Sequence, residues 1–311
     1  MMTAEISLLL TNRISPSNTE PLRAKEYWSL VAATELSELP GLTATEIGER
    51  LANEEMGERI ANLLDAGTGF ALARDEVESK GIRLVPHGHD AYPQRLRTRL
   101  GDAAPPLLYA AGPIEWLNTE LIGVVGSRNV DNEGAAVAEG VAAVATRIGA
   151  GIVSGGAKGV DLKSMDAAYQ AGVPSVGITA EGIERAGRRS ELRSAVAEER
   201  LLLASPFAPG AGFSVGNAMG RNKIVYALAS NTLVVASDHD SGGTWAGATE
   251  ALRRNFGAVS VWVGPGGGPG NAPLVDRGAL AVADLDQWQP LEAPEPVPNT
   301  KRRGEQLGLD L

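Results

Sequence analysis

Leu121-Ile-Gly-Val-Val-Gly-Ser-Arg128 and Gly151-Ile-Val-Ser-Gly-Gly-Ala-Lys-Gly-Val-Asp161 each carry an apolar run straight into a glycine-containing turn. Leu121–Val125 and Gly151–Val153 read as buried parallel strands, and Ala135–Arg147 between them has helical composition and spacing. Strand, glycine turn and helix then recur. The spacing predicts strands at 121–125, 151–154, 174–178, 201–204, 231–236 and 259–263, with helices at 134–147, 162–171, 190–198, 216–229 and 245–255. Such alternation means right-handed crossovers and an α/β fold. We expect an extended Rossmann-like, mostly parallel sheet with helices on both faces, plus a small N-terminal helical domain. Ligands of such sheets bind at the C-terminal ends of the strands.

Working outward, three regions are expected: an N-terminal helical domain over 1–80, the α/β domain over 81–288, and a linker with a terminal peptide over 289–311. Residues 1–22 read as polar and irregular, with Pro16 and Pro21. Helical segments follow at Glu26–Leu36, Ala44–Asn53 and Glu58–Leu64, joined by Leu39-Pro-Gly-Leu-Thr43. Their arrangement is like a SAM or helix-hairpin-helix module. The turn lacks a second glycine and the segment is acidic, which favours a packing or dimerisation role over a DNA-touching one. Ile82–Val85 is a short strand, and Ala91–Leu96 with Pro105–Tyr109 reads as a connector. Pro265-Gly-Gly-Gly-Pro-Gly270 reads as a flexible loop, and Leu291–Pro298 as an extended, acidic, disordered linker.

Composition narrows the chemistry. The chain has 311 residues, no cysteine and three histidines, which leaves no disulfide, no thiolate metal site and no Cys nucleophile. No metal and no cofactor is called for. The first ten residues lack a basic n-region and their apolar stretch is too short for a bilayer, so a cytoplasmic protein without membrane attachment is expected. The net charge of −10 argues against a general nucleic-acid coat but leaves room for a local basic groove, with specific placement and strong salt sensitivity.

Four turns carry the candidate chemistry. In Gly126-Ser127-Arg128, hydroxyl and backbone N–H groups hold a phosphate oxygen while the guanidinium grips two more. Ser154-Gly155-Gly156-Ala157-Lys158-Gly159 concentrates glycines, a serine and a lysine in one strand-to-helix turn. Asp161 is placed to cap or to orient that turn, and Lys163 to extend a basic surface or to be simply solvated. Arg221, Asn222 and Lys223 occupy consecutive helical positions and cannot face one way. Arg221 is expected toward the groove and Asn222 toward neighbouring loops. Ser241-Gly242 opens a third anion-type turn after the strand ending at Ala236.

The run from Ile82 to about Leu285 resembles the DNA-processing protein A (DprA/Smf) family of bacterial recombination mediators. The resemblance rests on Asp90-Ala-Tyr-Pro-Gln-Arg-Leu96, Pro105-Pro-Leu-Leu-Tyr109, Val124–Arg128, Val153–Asp161, Gly220-Arg-Asn-Lys-Ile224, Ser241-Gly242, Gly270-Asn271 and Gly278-Ala279, in order. It implies homodimerisation, single-stranded DNA binding, delivery of that DNA to RecA, and a part in DNA uptake and transformation. Carried over position by position, the DNA-facing set is Ser127, Arg128, Gly155, Lys158, Arg221, Asn222 and Lys223. The sequence departs from the family pattern at four places. Met165 stands for a usual histidine, Lys223 for a usual arginine, Gly243–Gly247 for a Ser-Leu-x-Thr turn, and no winged-helix segment follows. The same superfamily includes LOG nucleotide phosphoribohydrolases and nucleotide sensors, which frame the alternative. The LOG-type acid is missing from its position, occupied by Gly247, with Glu250 further along.

The terminal Gln306-Leu307-Gly-Leu309-Asp-Leu311 resembles the hexapeptide by which bacterial polymerases and repair proteins dock on the replicative sliding clamp. Gln306 and the leucines at 307, 309 and 311 are its candidate contacts.

Overall fold

The computed structural model describes residues 2–15 and 18–290. Nine strands form one sheet: β1 (Arg83–Pro86), β2 (Leu107–Ala111), β3 (Leu121–Val125), β4 (Gly151–Ser154), β5 (Ser175–Ile178), β6 (Leu202–Ser205), β7 (Asn231–Val234), β8 (Ala258–Trp262) and β9 (Leu280–Val282). Their order is β1-β2-β6-β5-β4-β3-β7-β8-β9. All neighbours from β6 to β9 pair parallel, and β1 and β2 add an antiparallel edge beside β6.

The helices are α1 (Met2–Thr11), α2 (Ala24–Ala33), α3 (Ala44–Leu51), α4 (Glu54–Asp65), α5 (Gly67–Ser79), α6 (Gln94–Leu100), α7 (Asn132–Ile148), α8 (Val160–Ala171), α9 (Ile183–Ala186), α10 (Ser190–Ala197), α11 (Val215–Leu228), α12 (Gly242–Arg254) and α13 (Asn271–Asp276). The sheet faces follow from the alternation of its strands. Ile122, Val124, Leu233 and Val235 meet Ala138, Val141 and Ala145 of α7, whereas Leu121, Val125 and Val234 join Val225 and Leu228 of α11 and Ala248 of α12. Apolar residues therefore occupy both sides of β3 and β7, as two-sided burial of a parallel sheet requires.

Three expectations are corrected. The first residues form helix α1 because Ile6, Leu8 and Leu10 find an apolar surface supplied by residues far along the chain; all three are buried. Ser7 and Thr11, which looked like loop polarity, return their hydroxyl hydrogens to carbonyls one turn back, at Thr3 and Ser7. The connector holds a strand: β2 lies between β1 and β6. The glycine-rich loop is packed, since a Cβ on Gly268 or Gly270 would stand 2.3 Å from the Ser237 carbonyl oxygen or 2.2 Å from that of Asp238. The N-terminal helices share a core with the sheet domain. Tyr27 and Trp28 lie in the same cluster as Val85, Leu108 and Val176, and the Trp28 indole donates to the Ala104 carbonyl at 2.7 Å.

Candidate nucleic-acid interface

Strand order sets the position of the site. The chain leaves β3 toward β4, β5 and β6 on one side, then crosses back through α11 to β7 on the other. The switch point is the crevice between the C-terminal ends of β3 and β7. A cavity of about 580 Å³ opens there. Its walls come from the turn after β3 (Gly126–Asn129), the start of α8, α11 and the loop leading into α12.

Backbone contacts lock the turns together. The Ser127 amide donates to the Ala236 carbonyl beyond β7, and the Val160 amide donates to Ser127 across from α8. Ser154 is fully buried and donates its hydroxyl to the Val124 carbonyl at 2.6 Å, tying β4 to β3. Gly126 packs on Val160 with no room for a side chain. Gly159, with φ +86°, lies so close to the Ser127 carbonyl oxygen that a Cβ would stand 2.4 Å from it. Of the helices starting here, α7 is capped by Asp131, which accepts from the Gly134 amide at 2.8 Å. The first turn of α12 receives no side-chain cap from Ser241, so it offers N–H groups and a positive dipole end to an anion, whereas at α8 the Val160, Leu162 and Lys163 amides already donate to the Ser127, Ala157 and Gly159 carbonyls.

Arg221 forms the cavity floor. Only 6 % exposed, it reaches Oδ2 of the equally buried Asp161 through Nη1 at 3.5 Å. The same carboxylate oxygen accepts from the Ala157 amide at 3.3 Å, so Asp161 holds the β4–α8 turn as well as the guanidinium. Burial pushes the Asp161 carboxyl above its ordinary range, and the Arg221 charge opposes that shift. Gly155 is required by this arrangement, because a Cβ there would fall 1.0 Å from Arg221 Nη1.

Among the described residues, the remaining candidate cations divide into unpaired and engaged. Arg128 lines the cavity, Lys158 stands on the turn after β4, and both are exposed. Lys163 pairs with Glu139 of α7 at 3.0 Å, and Lys223 with Glu250 of α12 at 3.1 Å. Asn222 donates to the Gly243 carbonyl at 3.2 Å, linking α11 to the start of α12. Glu250, the acid on which the hydrolase alternative depends, is bound to Lys223 and lies within 3.6 Å of Arg254; the cavity wall does not include it. Gln306–Leu311 fall outside the described residues.

A profile of DNA recombination-mediator protein A matches residues 83–290. The chain belongs to this family. The DprA protein of Mycobacterium tuberculosis is 28% identical over 289 residues, covering 85% of this chain and 73% of that protein. Bacillus subtilis DprA is 30% identical over 209 residues, or 65% and 69%. Among solved structures, Streptococcus pneumoniae DprA superposes with a TM-score of 0.59 at 23% identity, covering 85% of this chain and 96% of that one. Helicobacter pylori DprA gives a TM-score of 0.53 at 19% identity, with 66% and 92% covered. At these identities the two structures establish the shared fold.

Sequence reading missed several residues in and beside this groove of the DprA-family chain. Arg189 donates from Nη2 to Glu181 at 2.9 Å and from Nη1 to the Gly156 carbonyl at 3.5 Å, placing a further cation against the β4–α8 turn. Its signal was the Arg185-Ala-Gly-Arg-Arg189 run. Phe213, 55 % exposed, and Val215 give the cavity an apolar wall with Met219. Their signal was an aromatic set in a glycine-rich stretch, Gly210-Ala-Gly-Phe213. Asn129, Asp238 and Thr244 also line the cavity; nothing in their local sequence sets them apart.

Proposed function

We propose that this protein binds single-stranded DNA along the C-terminal edge of β4, β3 and β7 and acts as a recombination mediator. The observation that carries the reading is the convergence of three strand-end turns with exposed Arg128 and Lys158, which have no ion pair among the described residues, and the α12 N-terminus without a side-chain cap. Adjacent strands stand about 4.8 Å apart, so the turns form a row suited to successive phosphates rather than a single-anion nest. Family membership supports the same reading, as does the H. pylori relative, whose structure is described for its single-stranded DNA binding mode. In this scheme Ser127, Arg128, Gly155, Lys158, Ser241 and Gly242 face the strand. Arg221 shapes the floor, and Lys163 and Lys223 contribute only by leaving their carboxylate partners.

The test is a titration of oligo-dT at two salt concentrations. Removing two phosphate contacts with Arg128→Ala and Lys158→Ala lowers the salt slope by about 1.4, at roughly 0.7 per contact for single strands. Unchanged affinity and slope in the folded double variant rule out this groove. A cavity of about 580 Å³ also suits one nucleotide, which keeps a nucleotide sensor as the second reading. Thermal stabilisation by micromolar mononucleotide, with no response to oligo-dT, would select it. The proposal extends to a cytoplasmic homodimer that hands DNA to RecA and docks on the sliding clamp through Gln306–Leu311. Deleting those six residues abolishes clamp retention and leaves DNA affinity unchanged; equal retention by the truncated protein refutes the docking.

A further inference from the structure

We propose that Asp238 reads a base edge in the bound strand and gives the groove a preference for guanine. This inference rests on the single-stranded DNA reading above. Two carboxylates line the cavity, those of Asp161 and Asp238. Asp161 is engaged by Arg221. The side chain of Asp238 has no hydrogen bond or ion pair among the described residues, whereas its neighbour Asp240 lies 3.5 Å from His239 and 3.9 Å from Arg277. Asp238 Oδ2 is 3.7 Å from where a Cβ on Gly242 would be, so the carboxylate stands over the first residue of α12, at the Ser241-Gly242 turn.

Its backbone is fixed. The Asp238 carbonyl accepts from Ser237 Oγ at 2.9 Å and is packed against Gly270. Ser237 is in turn held by Asn271, whose Oδ1 accepts the Ser237 amide at 2.9 Å while Nδ2 donates to the carbonyls of Val235 and Trp262. A rigid support thus presents an exposed carboxylate, unpaired among the described residues, at the wall of a groove otherwise equipped with donors.

Placed against a phosphate, that anion opposes binding. It stabilises a complex only where the ligand donates hydrogen bonds, and the interior of a DNA strand carries acceptors alone on its phosphates and deoxyriboses. The donors are on the bases. Thymine offers one imino N–H, cytosine and adenine an exocyclic amine, and guanine an adjacent N1–H and N2–H pair that matches both oxygens of a carboxylate. The apolar wall of Phe213, Val215 and Met219 in the same cavity supplies a surface for the base faces.

The experiment compares ten-nucleotide strands of repeating dG-dT, repeating deoxyinosine-dT and dT alone, by fluorescence anisotropy with the full chain. Deoxyinosine keeps N1–H and lacks the N2 amine. Wild type is expected to bind dG-dT about tenfold more tightly than dT, with deoxyinosine-dT between them, the discrimination of one bidentate base contact. Asp238→Ala and the near-isosteric Asp238→Asn bring dG-dT and dT to within about twofold of each other. A flat series in wild type, a series that persists in both variants, or equal tightening of all three strands by Asp238→Ala overturns the inference and leaves DNA binding standing. Failure of every strand to bind wild type overturns both.

Discussion

Arg221 shows why residue identity and residue role are separate questions. Its sequence neighbourhood pointed to a DNA-facing guanidinium, and it does line the cavity, but its charge is spent on Asp161 beneath the floor. Removing it leaves a buried carboxylate without its charge partner, so Arg221→Ala is expected to cost about 3–5 kcal/mol of stability by urea unfolding. Arg128→Ala, at an exposed position, falls within about 0.5 kcal/mol. Gly155 and Gly156 make the complementary pair. Gly155→Ala drives a Cβ into Arg221 and is expected to lose most of the buried pair, whereas Gly156, with φ +64° and open space around it, accepts alanine for about 1–2 kcal/mol of left-handed backbone strain. Equal losses in the two variants would show that Gly155 is not reserved for the guanidinium. Asp161 and Arg221 were both legible as functional candidates. That they satisfy each other was not, because they lie on different helices, α8 and α11, brought together only by the crossover.

At the scale of elements, the loop between β7 and α12 depends on a side chain from another turn. Asn271, 3 % exposed, satisfies one amide and two carbonyls from β7 and β8 and their flanks. Asn271→Ala strands those buried groups and is expected to cost about 2–4 kcal/mol. It also frees the segment carrying Asp238 and Ser241, so native-state hydrogen exchange should quicken at Ser237 while the β3–β4 pairing keeps its protection. Unchanged exchange at Ser237 would mean the loop is held by its glycine packing alone. Except for the short α9, the strands and helices from β3 to β8 lie within about three residues of the ends the sequence predicts, since each is a local apolar run closed by a glycine turn or a cap. Helix α1 and strand β2 were not. The apolar run of α1 is short, Ser7 standing between Ile6 and Leu8–Leu10 and Thr11 closing it, and Pro105 and Pro106 immediately precede β2, so both lacked a local signature.

Across the whole molecule, α1, α2 and the segment after β1 meet in a cluster that couples stability to pH. Tyr27 Oη lies 2.6 Å from Ser7 Oγ and 2.8 Å from His87 Nδ1, and the rings of Trp28 and Tyr92 pack edge-on to the same imidazole. Burial holds His87 below its ordinary value of 6.5. The unfolded chain therefore takes up a proton first as pH falls below 6.5, and the folded state loses stability progressively from that point. His87→Gln is expected to flatten the acid limb of a Tm-against-pH curve; an unaltered limb would place the acid sensitivity elsewhere. At the alkaline end burial pushes Tyr27 and Tyr109 up to about 12 from 10.0. The unfolded phenols ionise first, so stability falls as pH rises from 10 toward 12. Absorbance at the phenolate band is expected to rise together with unfolding rather than before it; a rise preceding unfolding would show these phenols to be open to solvent in the native state.

The sequence by itself determined the α/β class, the succession of crossovers, the three glycine-containing turns at strand ends and the family, because each depends on residues within a few positions of one another. Apolar runs of strand length, glycines at turns and helix-start chemistry are local properties that a chain displays unfolded. Only the tertiary structure decided which cations and which carboxylate are unpaired among the described residues, and that residues 2–11 pack into the fold. Those facts turn on pairs such as Arg221 with Asp161, Lys223 with Glu250, and Asn271 with Ser237. The physical reason is that electrostatic and hydrogen-bond partners are chosen by proximity in space, and the strand order places residues far apart in the chain along one edge of the sheet.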